Sequence, residues 1–181
     1  MDSGYYTAGE KEFLLKIARE SLEKFLLAGI KFEPQTVNRK LWEKRGVFIT
    51  LNKDRKFRGS IGNIEPIEAL ILAVRNNVIS ATTNAKFSHL EINDIGFIEI
   101  EISILSPLKK VEIDQIKPGY GVLVKRGDSQ ATYLPQVWKT LNDKDKFISS
   151  LCAKAGLNNP VDDSATEFWV YKVISFSRLR S

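Results

Sequence analysis

Residue types and spacing first suggest chemistry in the segment Arg58-Gly59-Ser60-Ile61-Gly62. Two glycines three apart, beside an arginine, let a ligand or another backbone approach closely. The guanidinium adds a forked donor suited to a carboxylate or phosphate. The segment is not a phosphate-binding P-loop, since the terminal Gly-Lys-Ser/Thr is missing. Nor is it a Gly-x-Ser-x-Gly nucleophile elbow, because here the first glycine directly precedes the serine. The same five residues would also serve as a bulged strand end that runs into a turn. Glu99 and Glu101 flank an isoleucine that must face a core, so both carboxylates emerge on one face. Paired carboxylates do acid–base work when their surroundings push their pKa values apart. They can also hold Arg58 across a sheet without catalysing anything, and that positioning role is the expectation. Gln136 offers an amide that donates and accepts at once.

Other reactive groups are scarce. His89 and Cys152 are the only residues of their types. A Ser-His-acid triad would have to use His89, which sits in a loop-like stretch where a histidine is more simply solvated. Cys152 falls with Phe147 and Leu151 on the inward side of a helix and should behave as a small hydrophobe. One cysteine and one histidine exclude a disulfide framework and a Cys/His zinc site, and neither a metal nor a cofactor is expected. There is no basic-then-apolar leader at the start and no uncharged apolar run of roughly 18 residues, so a soluble, cytoplasmic protein is expected, with no membrane partner.

The 181 residues suit one domain, or one core with a smaller lobe. The formal charge is +5, and its distribution matters more than its sum. Residues 31–60 carry nine bases and three acids, a local +6, so the remainder sums to −1. Such a patch fits a phosphate-bearing partner, or a hairpin whose lysines keep it soluble. Trp42, Phe48 and Phe57 lie among these charges, where they would stack on bases or fill a core. Nucleic acid is therefore the alternative function.

These residues need elements to position them. Thr7-Ala8-Gly9-Glu10 has capping-box spacing, and Phe13, Leu14, Ile17, Ala18, Leu22, Phe25 and Leu26 then recur at helical spacing up to Gly29. Pro34 to Lys44 reads as a loop or short helix giving Leu41 and Trp42 to a core. Residues 46–51 and 56–62 read as a hairpin around the turn Asn52–Arg55. Pro66 opens a helix to about Asn84, with Ile67, Leu70, Ile71, Val74 and Val78 inward. Residues 97–105 are the clearest strand, Ile98, Ile100, Ile102 and Ile104 on one face. An irregular connection between Pro107 and Pro118 leads to a second hairpin, 121–125 with 130–134. A helix capped by Asn142 or Asp143 follows, ending at Gly156, and a last strand spans 168–176. This order predicts an α+β fold, a largely antiparallel sheet flanked by helices.

Five motifs, in this order, resemble the AMMECR family: Gly46-Val47-Phe48-Ile49-Thr50-Leu51, Arg58-Gly59-Ser60-Ile61-Gly62, Glu99-Ile100-Glu101-Ile102-Ser103-Ile104-Leu105, Leu134-Pro135-Gln136-Val137-Trp138 and Leu151-Cys152-Ala153-Lys154-Ala155-Gly156-Leu157. In prokaryotes the family is called AmmeMemoRadiSam system protein A. The resemblance covers nearly the whole chain. It implies a single AMMECR-type domain over residues 1–181, with a larger and a smaller subdomain and a cleft between them. It also implies partners, a Memo-like protein and a radical-SAM protein, but no established reaction. The expected role is substrate binding or partner presentation, with Arg58, Gly59, Ser60, Gly62, Glu99, Glu101 and Gln136 around an anionic small molecule. The family signature is usually Arg-Gly-Cys-Ile-Gly. Ser60 stands where that cysteine would be, and a hydroxyl is a poor nucleophile without a base.

Overall fold

The computed structural model describes residues 5–54, 56–83, 90–157 and 165–178. It divides into two compact units, Met1–Leu105 with Ile174–Ser181, and Ser106–Val173. Its strands are β1 (Val47–Lys53), β2 (Lys56–Asn63), β3 (Ile98–Leu105), β4 (Lys109–Val111), β5 (Gly121–Arg126), β6 (Ser129–Tyr133), β7 (Glu167–Tyr171) and β8 (Val173–Ser177). The α-helices are α1 (Ala8–Ala28), α2 (Leu70–Thr83) and α3 (Lys144–Lys154). The α+β class is as expected. The expected sheet is two four-stranded sheets, ordered β2-β1-β3-β8 and β4-β7-β5-β6, and β1 runs antiparallel to β2 and β3, as β7 does to β4 and β5, and β5 to β6.

In the first unit, α1 begins as its capping box dictates. Thr7 Oγ1 accepts the Glu10 N–H, and the Glu10 carboxylate accepts the Thr7 N–H at 2.8 Å. Gly29, at φ 67°, closes it in the left-handed conformation. Leu14, Ile17, Ala18 and Leu22 of α1 join Leu70, Ile71, Val74 and Val78 of α2 in one core. Both helices rest on Val47, Ile49 and Leu51 of β1 and on Ile98, Ile100, Ile102 and Ile104 of β3. That stripe is the alternating face expected of β3.

The second core gathers Val122 and Val124 of β5, Phe168 and Val170 of β7, and Phe147, Ile148, Leu151 and Cys152 of α3. Trp138 stacks on Phe147, ring centroids 3.8 Å apart, and donates its indole N–H to Tyr120 O. Asp143 is the N-cap of α3, and Gly156 beyond its end has φ 73°.

Several expectations need correction. The helix opened by Pro66 starts only at Leu70, because Lys44 bridges Ala69 and the Leu70 N–H is taken by Glu43 O. Ile67, expected inward, is 59% exposed. The single last strand is two, β7 and β8, one in each sheet. The break falls at Lys172, whose N–H and C=O both bond to Ser106. The stretch between Pro107 and Pro118 holds β4 and a short 3-10 turn, Ile113–Gln115. Leu41 is buried, but Trp42 is 40% exposed with its indole N–H on Thr36 O. Phe57, weighed as a core residue, is 70% exposed. His89 and the end of the second helix at Asn84 lie outside the described residues.

Candidate functional site

The first sheet builds its polar face in register. Thr50 of β1 lies opposite Ser60 of β2 on one side and opposite Glu101 of β3 on the other. Directly opposed residues share a face, so hydroxyl, hydroxyl and carboxylate form one row across three strands. Thr50 Oγ1 and Ser60 Oγ are 3.0 Å apart. Asn52 heads the next row, between Phe57 and Glu99. Toward the other end of the strands Ser103 is fully buried, its hydroxyl 2.8 Å from Ser175 Oγ.

Arg58 interrupts this register. Leu51 pairs with Gly59 and Asn52 with Phe57, which leaves Arg58 as the extra residue of a β-bulge. Bulges bend a strand and re-aim a side chain, and they gather beside functional sites. The guanidinium Nε and Nη2 are enclosed, with no hydrogen-bond partner among the described residues. Among the described residues no ion pair joins Arg58 to Glu99 or Glu101, so the expected bracing of the arginine by the two carboxylates is not present. Glu99 and Glu101 are half-buried, and among the described residues neither has an ion-pair partner.

One ion pair does stand at this end of the sheet. Lys53 Nζ lies 2.5 Å from Asp94 Oδ1, in the 3-10 turn Ile92–Phe97 that leads into β3. The Lys53 hydrogen bond, the Glu91 N–H and the charges of Lys53 and Arg58 together hold the Asp94 carboxyl below its ordinary range. Sequence reasoning missed Lys53, Asp94 and Thr50. Only the cross-strand register, which the bulge shifts, could have pointed to Thr50.

Gly62 has a reason of its own. A Cβ there would lie 2.1 Å from Val47 O and 2.5 Å from Phe48 Cα. Its bareness serves the close approach of β1, and Phe48 occupies the space a ligand would need. Gly59 is buried in the same strand. Gln136 belongs to the second unit, exposed in the 3-10 turn Pro135–Lys139.

A groove of about 1070 Å³ runs along α1, lined by Phe13, Lys16, Arg19, Lys24, Ile95 and Arg178 among others. Several of its charges are occupied. Arg19 donates to Ile95 O and Ile98 O, Lys24 pairs with Glu20, and Arg178 with Glu12. Size alone therefore does not make it the chemical site. Cys152 is fully buried and burial pushes its thiol up, which removes it as a nucleophile. No described helix is long and apolar enough to cross a membrane.

Two antiparallel sheets with helices, and an Arg-Gly-Ser-Ile-Gly edge strand bulged at its arginine, define an α+β protein whose first sheet has a polar face. The family model AMMECR1 matches residues 15–176, and the chain belongs to that family. It is 38% identical over 168 residues to protein MK0488 of Methanopyrus kandleri, covering 83% of this chain and 79% of that one. Protein PYRAB00100 of Pyrococcus abyssi is 34% identical over 163 residues, covering 81% and 78%. The crystal structure of PH0010 from Pyrococcus horikoshii superposes with a TM-score of 0.84 at 30% identity, over 92% of this chain and 90% of that one.

Proposed function

We propose that this protein is a cytoplasmic binding component that holds an anionic group of its ligand at Arg58. It presents that ligand within a modification system of the Memo-like and radical-SAM type. The observation that carries the reading is the enclosed, unpartnered edge of the Arg58 guanidinium. A buried donor without a partner costs roughly 1–3 kcal/mol, more when charged, and a bound carboxylate or phosphate would offset that cost. Binding is favoured over catalysis at Ser60, because the neighbour of its hydroxyl is another hydroxyl, Thr50, and not a base. The test is a pull-down from source-cell lysate, with and without nuclease, using wild type and Arg58→Ala as baits. Nuclease-insensitive retention of Memo-like or radical-SAM proteins by wild type alone supports the reading. Equal retention by both baits overturns the role of Arg58.

A second reading, nucleic-acid binding through residues 31–60, draws on the exposure of Trp42 and Phe57 among the basic residues. Such binding must fall steeply between low and physiological salt as counterions are released. The unpaired Glu99 and Glu101 weigh against a polyanion on that face.

A further inference from the structure

We infer that the outer edge of β8 takes up an extended peptide segment of a partner protein, paired antiparallel, in which an acidic residue is followed at alternate positions by two apolar ones. The inference goes beyond the Arg58 reading and does not depend on it. Four strands end the two sheets, and an open edge is a template for another strand. Three of the four are guarded. β2 is bulged at Arg58, and β4 is three residues long and carries Lys109 and Lys110. The Thr132 C=O of β6 accepts from Lys154 Nζ at 3.0 Å. β8, Val-Ile-Ser-Phe-Ser, has no charge, proline or glycine.

The pairing of β8 with β3 fixes which backbone groups face outward. The Ser106 N–H donates to Lys172 O, and the Ser103 and Ser175 hydroxyls meet at 2.8 Å, so the strands run in opposite directions with Ser103 opposite Ser175. The Leu105 N–H donates to Gly46 O, on the β1 side. Backbone groups alternate between neighbouring strands, so Ile102 and Ile104 bond toward Phe176 and Ile174 of β8. Ser175 and Ser177 therefore turn N–H and C=O away from the sheet. Both are exposed, and among the described residues no backbone hydrogen bond from another element reaches them. On the helix side an added strand meets Ile174 and Phe176, which pack on the first core, and then Arg178. The Arg178 side chain is 73% exposed, and its Nη1 lies 3.3 Å from Glu12 of α1. The rest of the guanidinium fork can take an incoming carboxylate. The groove along α1 reaches this corner, where Phe13, Lys16, Ile100 and Arg178 line it with Glu12. Glu12 and Lys16 offset each other there, which leaves the positive charge of Arg178. Directly opposed residues share a face, so the acid belongs opposite Arg178 and the apolar residues opposite Phe176 and Ile174. Main-chain bonds give such a complex its affinity, and the alternate side chains give it specificity.

The probe is a fluorescein-labelled peptide, Glu-Thr-Val-Thr-Val, titrated into the full chain and followed by anisotropy. Its companions carry Lys in place of Glu, or N-methyl groups on both threonines. Wild type should prefer the Glu peptide to the Lys peptide about fivefold, and Arg178→Glu should reverse that order. N-methylation removes the donors that face Ser175 and Ser177 and should weaken binding about tenfold or more. Ser175→Pro deletes an outward N–H while sparing the β3 ladder, and should have the same effect; circular dichroism verifies that it is folded. Sedimentation equilibrium of the free protein should show a monomer. Equal affinities for the Glu and Lys peptides, or binding untouched by N-methylation, would overturn the inference. So would the absence of peptide binding to wild type. A wild-type dimer that Ser175→Pro dissociates would overturn it too, because the occupant of the edge would then be a second copy of this chain.

Discussion

Thr50 and Ser60 face each other across the first hairpin with their side-chain oxygens 3.0 Å apart, in a row that continues to Glu101. Thr50 donates to Ser60, which fills one acceptor site of the serine hydroxyl and leaves the serine its own proton to donate. The pair also ties the strand that carries Arg58 to the middle of the sheet.

Thr50→Val removes that hydrogen bond and keeps the β-branched shape. It should cost about 0.5–1.5 kcal/mol in urea denaturation. The double variant Thr50→Val with Ser60→Ala should recover part of the loss, since neither oxygen is then left without its partner. A double variant that loses the sum of the two single losses would show that the oxygens do not interact.

Gly62→Ala should be more damaging than its size suggests. The added carbon would meet the backbone of β1, which cannot rotate away as a side chain can. Overpacking of this kind typically costs about 1–3 kcal/mol. Gly121→Ala is a parallel case, because its Cβ would fall 2.3 Å from the ring of Tyr171. Unchanged urea midpoints for both would show that the strands have slack there.

Acid stability should depend on Glu10. Burial works to raise its pKa, but hydrogen bonds from Asn38, the Thr7 N–H and Lys40 outweigh it, and the group is held at about 2 against an ordinary 4.5. A depressed carboxyl contributes stability that is present above its unfolded pKa. That contribution is lost as pH falls from about 4.5 through about 2. Glu10→Gln should flatten this part of the pH–stability curve. A curve of the same slope in both proteins would place the acid sensitivity elsewhere.

At high pH the sign reverses. Burial pushes the Tyr171 phenol up to about 12, against an opposing hydrogen bond with Thr132. Its stabilisation is full below pH 10 and is lost as pH rises toward 12. In a spectrophotometric titration, Tyr171→Phe should remove a late-ionising phenol and leave the earlier ones. The phenol also bonds the Tyr133 carbonyl, so the variant should lose about 1–2 kcal/mol at neutral pH.

Local rules made much of this fold readable. The Thr7–Glu10 box, the Ile98–Ile104 alternation and the Asp143 cap depend on neighbours within a few residues, and each stands where the sequence pattern puts it. What escaped depends on distant partners. The helix opening at Pro66 was delayed by a bridge from Lys44 to Ala69. The strand 168–176 was divided at Lys172 by Ser106, far away in the chain. At the site, Arg58 and the Glu99/Glu101 pair were legible as residues but their relationship was not. The expected turn Asn52–Arg55 gives way to a hairpin whose last pair is Lys53 with Lys56, and a one-residue bulge then changes which residues oppose each other.

That bulge makes Arg58 surplus to the ladder. Gly59 already has Leu51 and Phe57 already has Asn52, so no cross-strand partner is waiting for the residue between them. A chain shortened by this one residue would run Phe57 and Gly59 in consecutive register and keep every other pairing of the hairpin. The sheet and the cation are thus separable. Chain length at a single point, and not the identity of the pairing residues, divides a hairpin that only folds from one that also carries an enclosed positive charge.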